Sequence, residues 1–329
     1  MDTTRSTISN FQHPEYFFWA AVVLILFSFS TDRPTDASTS EIRLAAAAGA
    51  SSLSDPFADI ELEAKSVYVL DATSGRAIFE KNATSTNGLA SITKVMTAAV
   101  ALSLVPDTTF ISIEAPAVRQ EGDSDLKVGE KWLLRDLVTL MLLESSNDAA
   151  YAISSSVGAY AEGLDDAAAG RESFIVEMNA RGSEWGLRDT IFRSESGLDL
   201  PASETAEFQG VEQEGALSTA RDTAHLLAYA LKNFPTAFTS TKWSELRLEN
   251  EDGEVRNAVN TNKETNRLPL LLASKTGYTD LSGGNLVIAF DAGFNRPIIV
   301  AVLGSSAEGR FADVEKLVWA TLDALNEAN

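Results

Sequence analysis

The chain has 329 residues, enough for one large domain or two smaller ones, and its apolar and charged fractions of 45% and 22% are those of a folded globular protein. It has no cysteine, which excludes disulfides, thiol catalysis and Cys-ligated zinc, and its two histidines, His13 and His225, cannot build a three-histidine metal site. With 26 basic against 47 acidic residues the net charge is −21, which repels phosphate backbones, argues against nucleic-acid binding and favours a soluble monomer. In chain order, residues 16–29 form an apolar run that is short for a membrane span and typical of the core of an export signal. Arg5 is opposed by Asp2 and Glu15, and no A-x-A cleavage site follows closely. Residues 1–30 are therefore expected to be a signal peptide or a retained N-terminal anchor, residues 31–58 a flexible linker rich in Ser, Thr, Ala and Asp, and residues 59–329 the folded domain.

Within that domain, residues 66–70 and 77–80 read as a hairpin turning at 71–75. Small apolar residues from Leu89 to Leu102 read as a buried helix, and further helices are expected at 133–143, 147–156 and 174–185, the last ended by Gly186. Ser218 opens a fifth helix with Asp222 in its first turn, and His225 within it reads as a helix-surface or packed residue. Three β-rich runs follow at 270–274, 285–290 and 297–303, the last two a hairpin around Gly293-Phe294-Asn295, and a closing helix runs over about 311–328. Two strands, a helical middle, three strands and a helix predict an α+β fold, an antiparallel sheet flanked by helices.

Ser91 stands in the first turn of the 89–102 helix, and Lys94, three residues later, falls on the same face near the positive end of the helix dipole. A serine hydroxyl needs a base at neutral pH, and a desolvated lysine near another cation can lose its proton and become one. Alone the pattern is weak. Chance supplies about one Ser-x-x-Lys in a chain this long, and Ser124-Asp125-Leu126-Lys127 is a second, in a polar, Gly-flanked loop that reads as solvated surface. Ser145-Ser146-Asn147 lies between the second and third helices, where simple N-capping explains it equally well, and Ser85-Thr86-Asn87 repeats its pattern. Lys275-Thr276-Gly277 ends an apolar strand. A lysine and a hydroxyl there can hold a carboxylate and the glycine admits a ligand backbone, while a solvated strand-end lysine fits the same residues.

In this order the three motifs resemble the serine acyl-transfer set of the penicillin-recognising enzymes. The flanks are similar to the D-alanyl-D-alanine carboxypeptidases of peptidase family S11, the low-molecular-weight penicillin-binding proteins. The likeness runs from about Glu63 to the C-terminus and includes Leu89-Ala90-Ser91-Ile92-Thr93-Lys94, Ser145-Ser146-Asn147-Asp148-Ala149-Ala150, Ser196-Gly197-Leu198, Ser218-Thr219-Ala220-Arg221-Asp222, Ser274-Lys275-Thr276-Gly277-Tyr278-Thr279 and, more loosely, Gly309-Arg310-Phe311. The resemblance implies a β-lactamase/transpeptidase-like fold, with an all-helical subdomain beside the sheet. It implies that Ser91 attacks the penultimate D-Ala carbonyl of a peptidoglycan stem peptide, Lys94 takes its proton and Ser145 relays a proton to the leaving amine. Asn147 would orient Lys94 and bind the substrate amide. Lys275 and Thr276 would hold the terminal carboxylate, Gly277 would let the bound substrate's backbone approach, and the N–H groups of Ser91 and Tyr278 would form the oxyanion hole. No metal or cofactor is implied, β-lactams should acylate Ser91, and the location is the extracytoplasmic face of a bacterial membrane.

Three departures stand out. Ser146 occupies a position where the family often has glycine, acidic stretches at 162–172 and 204–214 lengthen the path from Ser145 to Lys275, and no C-terminal β-domain or amphipathic anchor is legible. A D,D-endopeptidase would use the same residues. A class A-like β-lactamase would need a Glu-x-x-Leu-Asn segment that the stretch from Ser145 to Lys275 lacks, and an inactive wall-binding module would not need the complete motif set.

Overall fold

The computed structural model describes residues 55–122, 125–202 and 211–327. The expected signal or anchor, all but the last residues of the linker, Ser124 and most of the second acidic stretch lie outside them. Phe57 stacks on Phe79 with ring centroids 4.8 Å apart, so the described chain is already packed when it enters β1 (Ser66–Asp71).

β1 turns into β2 (Arg76–Lys81), and a two-residue strand, β3 (Asn87–Gly88), leads through the 3₁₀ turn Ala90–Ile92 into α1 (Thr93–Leu104). A small ribbon of β4 (Phe110–Ser112) and β5 (Lys131–Leu133) precedes three helices, α2 (Leu134–Glu144), α3 (Asn147–Glu162) and α4 (Ala167–Glu184). β6 (Ile191–Phe192) and β7 (Ala216–Ser218) join β3 in a sheet ordered β3-β7-β6. Then come α5 (Ala220–Asn233), α6 (Pro235–Thr239) and the hairpin β8 (Glu245–Glu249) and β9 (Val255–Val259). The chain closes with β10 (Leu271–Thr279), β11 (Gly283–Asp291), β12 (Pro297–Ser305) and α7 (Gly309–Glu327).

The main sheet is ordered β10-β11-β12-β1-β2 and every pairing is antiparallel. Its central strands read as unbroken apolar runs because both faces are covered. Period-two alternation then sorts their side chains. Val67, Val69, Ile288, Phe290, Val300 and Val302 pack with Phe311, Val314, Leu317 and Val318 of α7. Tyr68, Leu70, Val287, Ala289, Ile299 and Ala301 pack on the other face with the core that includes α1, α2, α3 and α5. Each large apolar side chain fully buried this way stabilises by about 1.5–3 kcal/mol. The expected α+β architecture, a flanked antiparallel sheet with a helical body beside it, is the one observed.

Three local expectations change. β10 does not stop before Lys275 but runs to Thr279, because Lys275 to Thr279 pair in register with Val287 to Gly283 of β11. The β8–β9 hairpin was not expected. Its strands are rich in Glu, Arg and Asn, and only Leu248 and Ala258 are buried, so the apolar signal is diluted. Residues 162–172 are the last residue of α3, the turn at 163–166 and the first six residues of α4. Gly163 ends α3 in the left-handed region, and the Asp166 side chain caps α4 at Ala168.

α3 and α4 approach so closely at Gly158 and Gly170 that a Cβ added to Gly158 would lie 1.9 Å from the Gly170 carbonyl oxygen. Gly158→Ala must push the helices apart, and a loss of about 1–3 kcal/mol in urea unfolding is expected. An unchanged midpoint would mean that the two helices separate freely.

Candidate active site

The three sequence motifs meet at one place. Ser91 sits in the 3₁₀ turn that feeds α1, and Lys94 follows one helical turn later with its side chain fully buried. The Lys94 Nζ lies 2.9 Å from Ser91 Oγ, 2.7 Å from Asn147 Oδ1 and 2.8 Å from the Ser196 carbonyl oxygen. The Asn147 amide is oriented by its own Nδ2, which donates to the Glu121 carbonyl at 2.6 Å. Asn147 Oδ1 and Ser196 O can therefore only accept.

Burial pushes the Lys94 amine down from 10.5 to about 7, opposed by the Glu195 carboxylate. Near neutral pH a substantial fraction is uncharged. A neutral amine has two N–H groups and one lone pair. The two pure acceptors take the N–H groups, which leaves the lone pair facing the Ser91 hydroxyl.

The second motif bridges α2 and α3. Ser145 follows the last residue of α2 in the left-handed region, with φ 62°, and Ser146 is the N-cap of α3, its hydroxyl accepting from Ala149 N at 3.0 Å. Capping and site assembly were alternatives in the sequence, and the structure divides them between adjacent residues. Ser146 has a φ of −58°, so serine fits without backbone strain where the family often carries glycine. The similar Ser85-Thr86-Asn87 lies elsewhere, with Asn87 Nδ2 donating to Ser66 Oγ at 2.9 Å.

The third motif lies inside β10. Lys275 is buried, and its Nζ donates to Ser145 Oγ at 3.0 Å and to the Thr276 carbonyl at 2.8 Å. Its amine is driven well below the ordinary value by burial, then by the charges of Lys94 and Arg310. Thr276 Oγ1 lies 2.6 Å from Thr261 Oγ1, and Tyr278 is half exposed. Gly277 is required by proximity, since a Cβ there would stand 2.7 Å from the Leu89 carbonyl oxygen and 3.1 Å from Ile92 N. β10, an edge strand of the sheet, thus presses against the turn that carries Ser91.

Sequence reasoning missed several contributors. The Ser196 carbonyl has no side-chain signature, Thr261 follows a hairpin the apolar pattern hid, and Arg310 was noted only as part of a loose family likeness. Arg310 Nη1 donates to Gly277 O at 2.6 Å. A chain of net charge −21 therefore gathers three basic side chains, Lys94, Lys275 and Arg310, along one edge strand. Recesses open on either side. One of about 350 Å³ is lined by Gly122, Glu144, Ser145 and Asn147, and one of about 490 Å³ by Glu121, Leu198, Asp199, Tyr278 and Thr279. His225 stands on α5 with its ring 6.0 Å from that of Tyr68, and forms no hydrogen bond with the clustered residues among those described.

A family profile described as D-alanyl-D-alanine carboxypeptidase, peptidase family S11, matches residues 50–307, and the chain belongs to that family. The D-alanyl-D-alanine carboxypeptidase DacC of Escherichia coli is 30% identical over 277 residues, which cover 78% of this chain and 60% of that protein. DacF of Bacillus subtilis is 28% identical, with 78% of this chain and 61% of that protein covered. The chain thus spans about three-fifths of the length of these two relatives. A D-alanyl-D-alanine endopeptidase of Pseudomonas aeruginosa is 28% identical over 78% of this chain and 76% of its own length. Among solved structures, the Streptomyces K15 DD-transpeptidase superposes with a TM-score of 0.68 at 26% identity, covering 79% of this chain and 97% of that one. Penicillin-binding protein D2 of Listeria monocytogenes, solved in an ampicillin-bound form, gives 0.62 at 25% identity over 80% and 98%.

The site makes a prediction about stability. Between about 7 and 10.5 the folded chain binds fewer protons at Lys94 than the unfolded chain does, so this residue makes stability rise with pH across that window. Below about pH 7 the full cost of burying the ammonium is present. Urea unfolding at several pH values should show wild type gaining stability relative to Lys94→Met as pH increases through this range. A constant difference would mean that Lys94 stays charged when buried.

Proposed function

We propose that this protein is a serine D-Ala-D-Ala carboxypeptidase acting on peptidoglycan stem peptides outside the cytoplasmic membrane. The observation that carries the reading is the Lys94 amine, whose only partner able to donate to it among the described residues is the Ser91 hydroxyl. As Ser91 Oγ attacks the carbonyl carbon of the penultimate D-Ala, its proton passes to the Lys94 lone pair. The N–H groups of Ser91 and Tyr278 receive the developing oxyanion, a contribution typically worth about 3–4 kcal/mol per donor. Ser145 Oγ accepts from Lys275, so its own hydrogen is free to pass to the leaving nitrogen. Ser145 is refilled by the proton Lys94 took from Ser91, which leaves Lys94 neutral to take a proton from the hydrolytic water. The C–N bond breaks, D-Ala departs as the amine, and Ser91 keeps the acyl group until water hydrolyses the ester.

The substrate's terminal carboxylate pairs with Lys275 and the Thr276 hydroxyl, with the Arg310 charge behind them. Asn147 holds Lys94 and meets the substrate amide. The Lys275 charge also helps Lys94 to lose its proton, so one cation binds the substrate and activates the base. A β-lactam, with a carboxylate beside a strained amide, acylates Ser91 by the same path. We assign the 1–30 segment to export or anchoring, the 31–58 segment to a tether and residues 59–329 to the peptidase domain, and take the enzyme to act as a monomer. A D,D-endopeptidase, the reading that the Pseudomonas aeruginosa relative supports, needs the same chemistry on a cross-linked substrate.

Labelling with a fluorescent penicillin, followed by a chase, tests the chemistry. Wild type should form a slowly decaying adduct that is absent from Ser91→Ala, and Lys94→Met should acylate about 10²- to 10⁴-fold more slowly. Decay within seconds would indicate a β-lactamase, and no adduct would remove both enzyme readings. D-Ala release from a pentapeptide, measured beside cleavage of a cross-linked dimer, separates carboxypeptidase from endopeptidase.

Acylation should follow a bell in pH. It rises as Lys94 is deprotonated, at a pH near 7, and falls below the ordinary lysine value of 10.5 as Lys275 loses its charge. The two limbs belong to the coupled pair. A rate that climbs without a fall up to pH 11 would show that Lys275 does not need its charge.

A further inference from the structure

Behind Lys94 lies a second charged pair that the reaction does not use. Glu195 is 1% exposed, immediately before the Ser196 whose carbonyl accepts from Lys94. Its own carbonyl accepts from Thr97 Oγ1 at 2.6 Å, one turn beyond Lys94 on α1, so both residues of the 195–196 segment are tied to the helix that carries Ser91 and Lys94. The Glu195 carboxylate is met by Arg171 of α4 at 2.8 Å, and Arg171 in turn lies over the Tyr151 ring of α3 at 5.5 Å. The ion-pair angle falls outside hydrogen-bond geometry, so Glu195 Oε2 has no directional partner among the described residues. A carboxylate buried this deeply with one loosely aligned cation is costly, and it costs more than a neutral residue would in the same place.

We propose that Glu195, held by Arg171, is a positioning residue that sets the pH at which Lys94 becomes a base. This rests on the reading of Ser91 and Lys94 given above. Its backbone keeps the Ser196 carbonyl in place, and its charge favours the ammonium form of Lys94 against the burial that favours the amine. Other charged side chains stand on the surrounding elements. Lys275 of β10, whose own amine the Lys94 charge pushes down, opposes the ammonium in return. Asp148 follows Asn147 on α3. Glu144 at the end of α2 is paired with Arg256, and Asp222 of α5 is engaged by Asp189 N and the Thr190 hydroxyl. Glu195 is the carboxylate whose charge pulls Lys94 upward. The consequence is an enzyme whose acid limb lies closer to neutrality than burial alone would place it, so its rate responds to external pH in the neutral range.

The test is the pH profile of Ser91 acylation by a fluorescent penicillin, measured on the full chain. In Glu195→Gln the acid limb should move to lower pH by about half a unit or more, with the plateau rate retained to within a few-fold. Glu195→Asp should restore the wild-type limb. Because Glu195→Gln leaves the partly exposed Arg171 without its counter-charge, the double variant Arg171→Leu/Glu195→Gln, which removes both charges, is measured in parallel and should also move the limb down. A lowered plateau with an unmoved limb in either variant that folds would reduce Glu195 to a packing role and overturn the inference. Absence of any adduct in wild type would overturn the underlying reading as well.

Discussion

The constraint on which the rest of the site depends is the burial of Lys94. An ammonium taken out of water is expensive unless every N–H is met, and here Ser91 Oγ, Asn147 Oδ1 and Ser196 O surround one nitrogen within 2.9 Å. These acceptors come from the α1 entry turn, from the start of α3 and from the loop after β6. The amine is therefore the point at which three segments of the chain are held in register. The same burial moves the proton equilibrium into the neutral range, so the cost of the buried group and its proposed role have one origin.

Around this centre the sheet supplies rigidity and an edge. β11 and β12 are enclosed by α7 on one face and by the helical core on the other, while β10 borders the sheet and packs one face against the Ser91 turn. Gly277 lets that strand come against Leu89 and Ile92, and Asn285 on β11 ties the approach by donating to Gly88 O at 2.9 Å. An edge strand has backbone groups that an extended chain can pair with. In the proposed reaction a peptide lying along β10 brings its carboxyl end to Lys275 and its scissile carbonyl to Ser91, without any movement of the sheet.

What was legible in the sequence follows from this arrangement. The central strands and α1 show as continuous apolar runs because they are buried all round, and the first two motifs show as polar residues at the entries of α1 and α3, whereas Lys275-Thr276-Gly277 lies inside β10. Pairing was not legible. Whether β10 stopped at Ser274 or carried Lys275 to Gly277 within it depends on register with Val287 to Asn285, and no local pattern states that register. The β8–β9 hairpin hid behind its charges, although it delivers Thr261 to Thr276 and Arg256 to Glu144. The Ser196 carbonyl and the Glu195–Arg171 pair were invisible for another reason. A backbone acceptor carries no residue signature, and residues 24 apart in sequence meet only after α4 and the following loop have folded.

Two backbone positions at the site are held away from their preferred conformations. Ala90, one residue before Ser91, has a φ of 49°, and Ser145 has a φ of 62°. For residues other than glycine such conformations cost about 1–2 kcal/mol each. Both have local support. The Ala90 carbonyl accepts from Thr93 Oγ1 at 2.8 Å, and the left-handed turn at Ser145 is followed at once by the Ser146 cap of α3. Both also aim a hydroxyl, one towards Lys94 and the other towards Lys275. A relaxed turn at Ala90 would redirect the helix entry, and a right-handed Ser145 would continue α2 and carry Asn147 away from Lys94. The strain is thus the geometric condition for bringing three motifs, spread over almost two hundred residues, to two neighbouring amines.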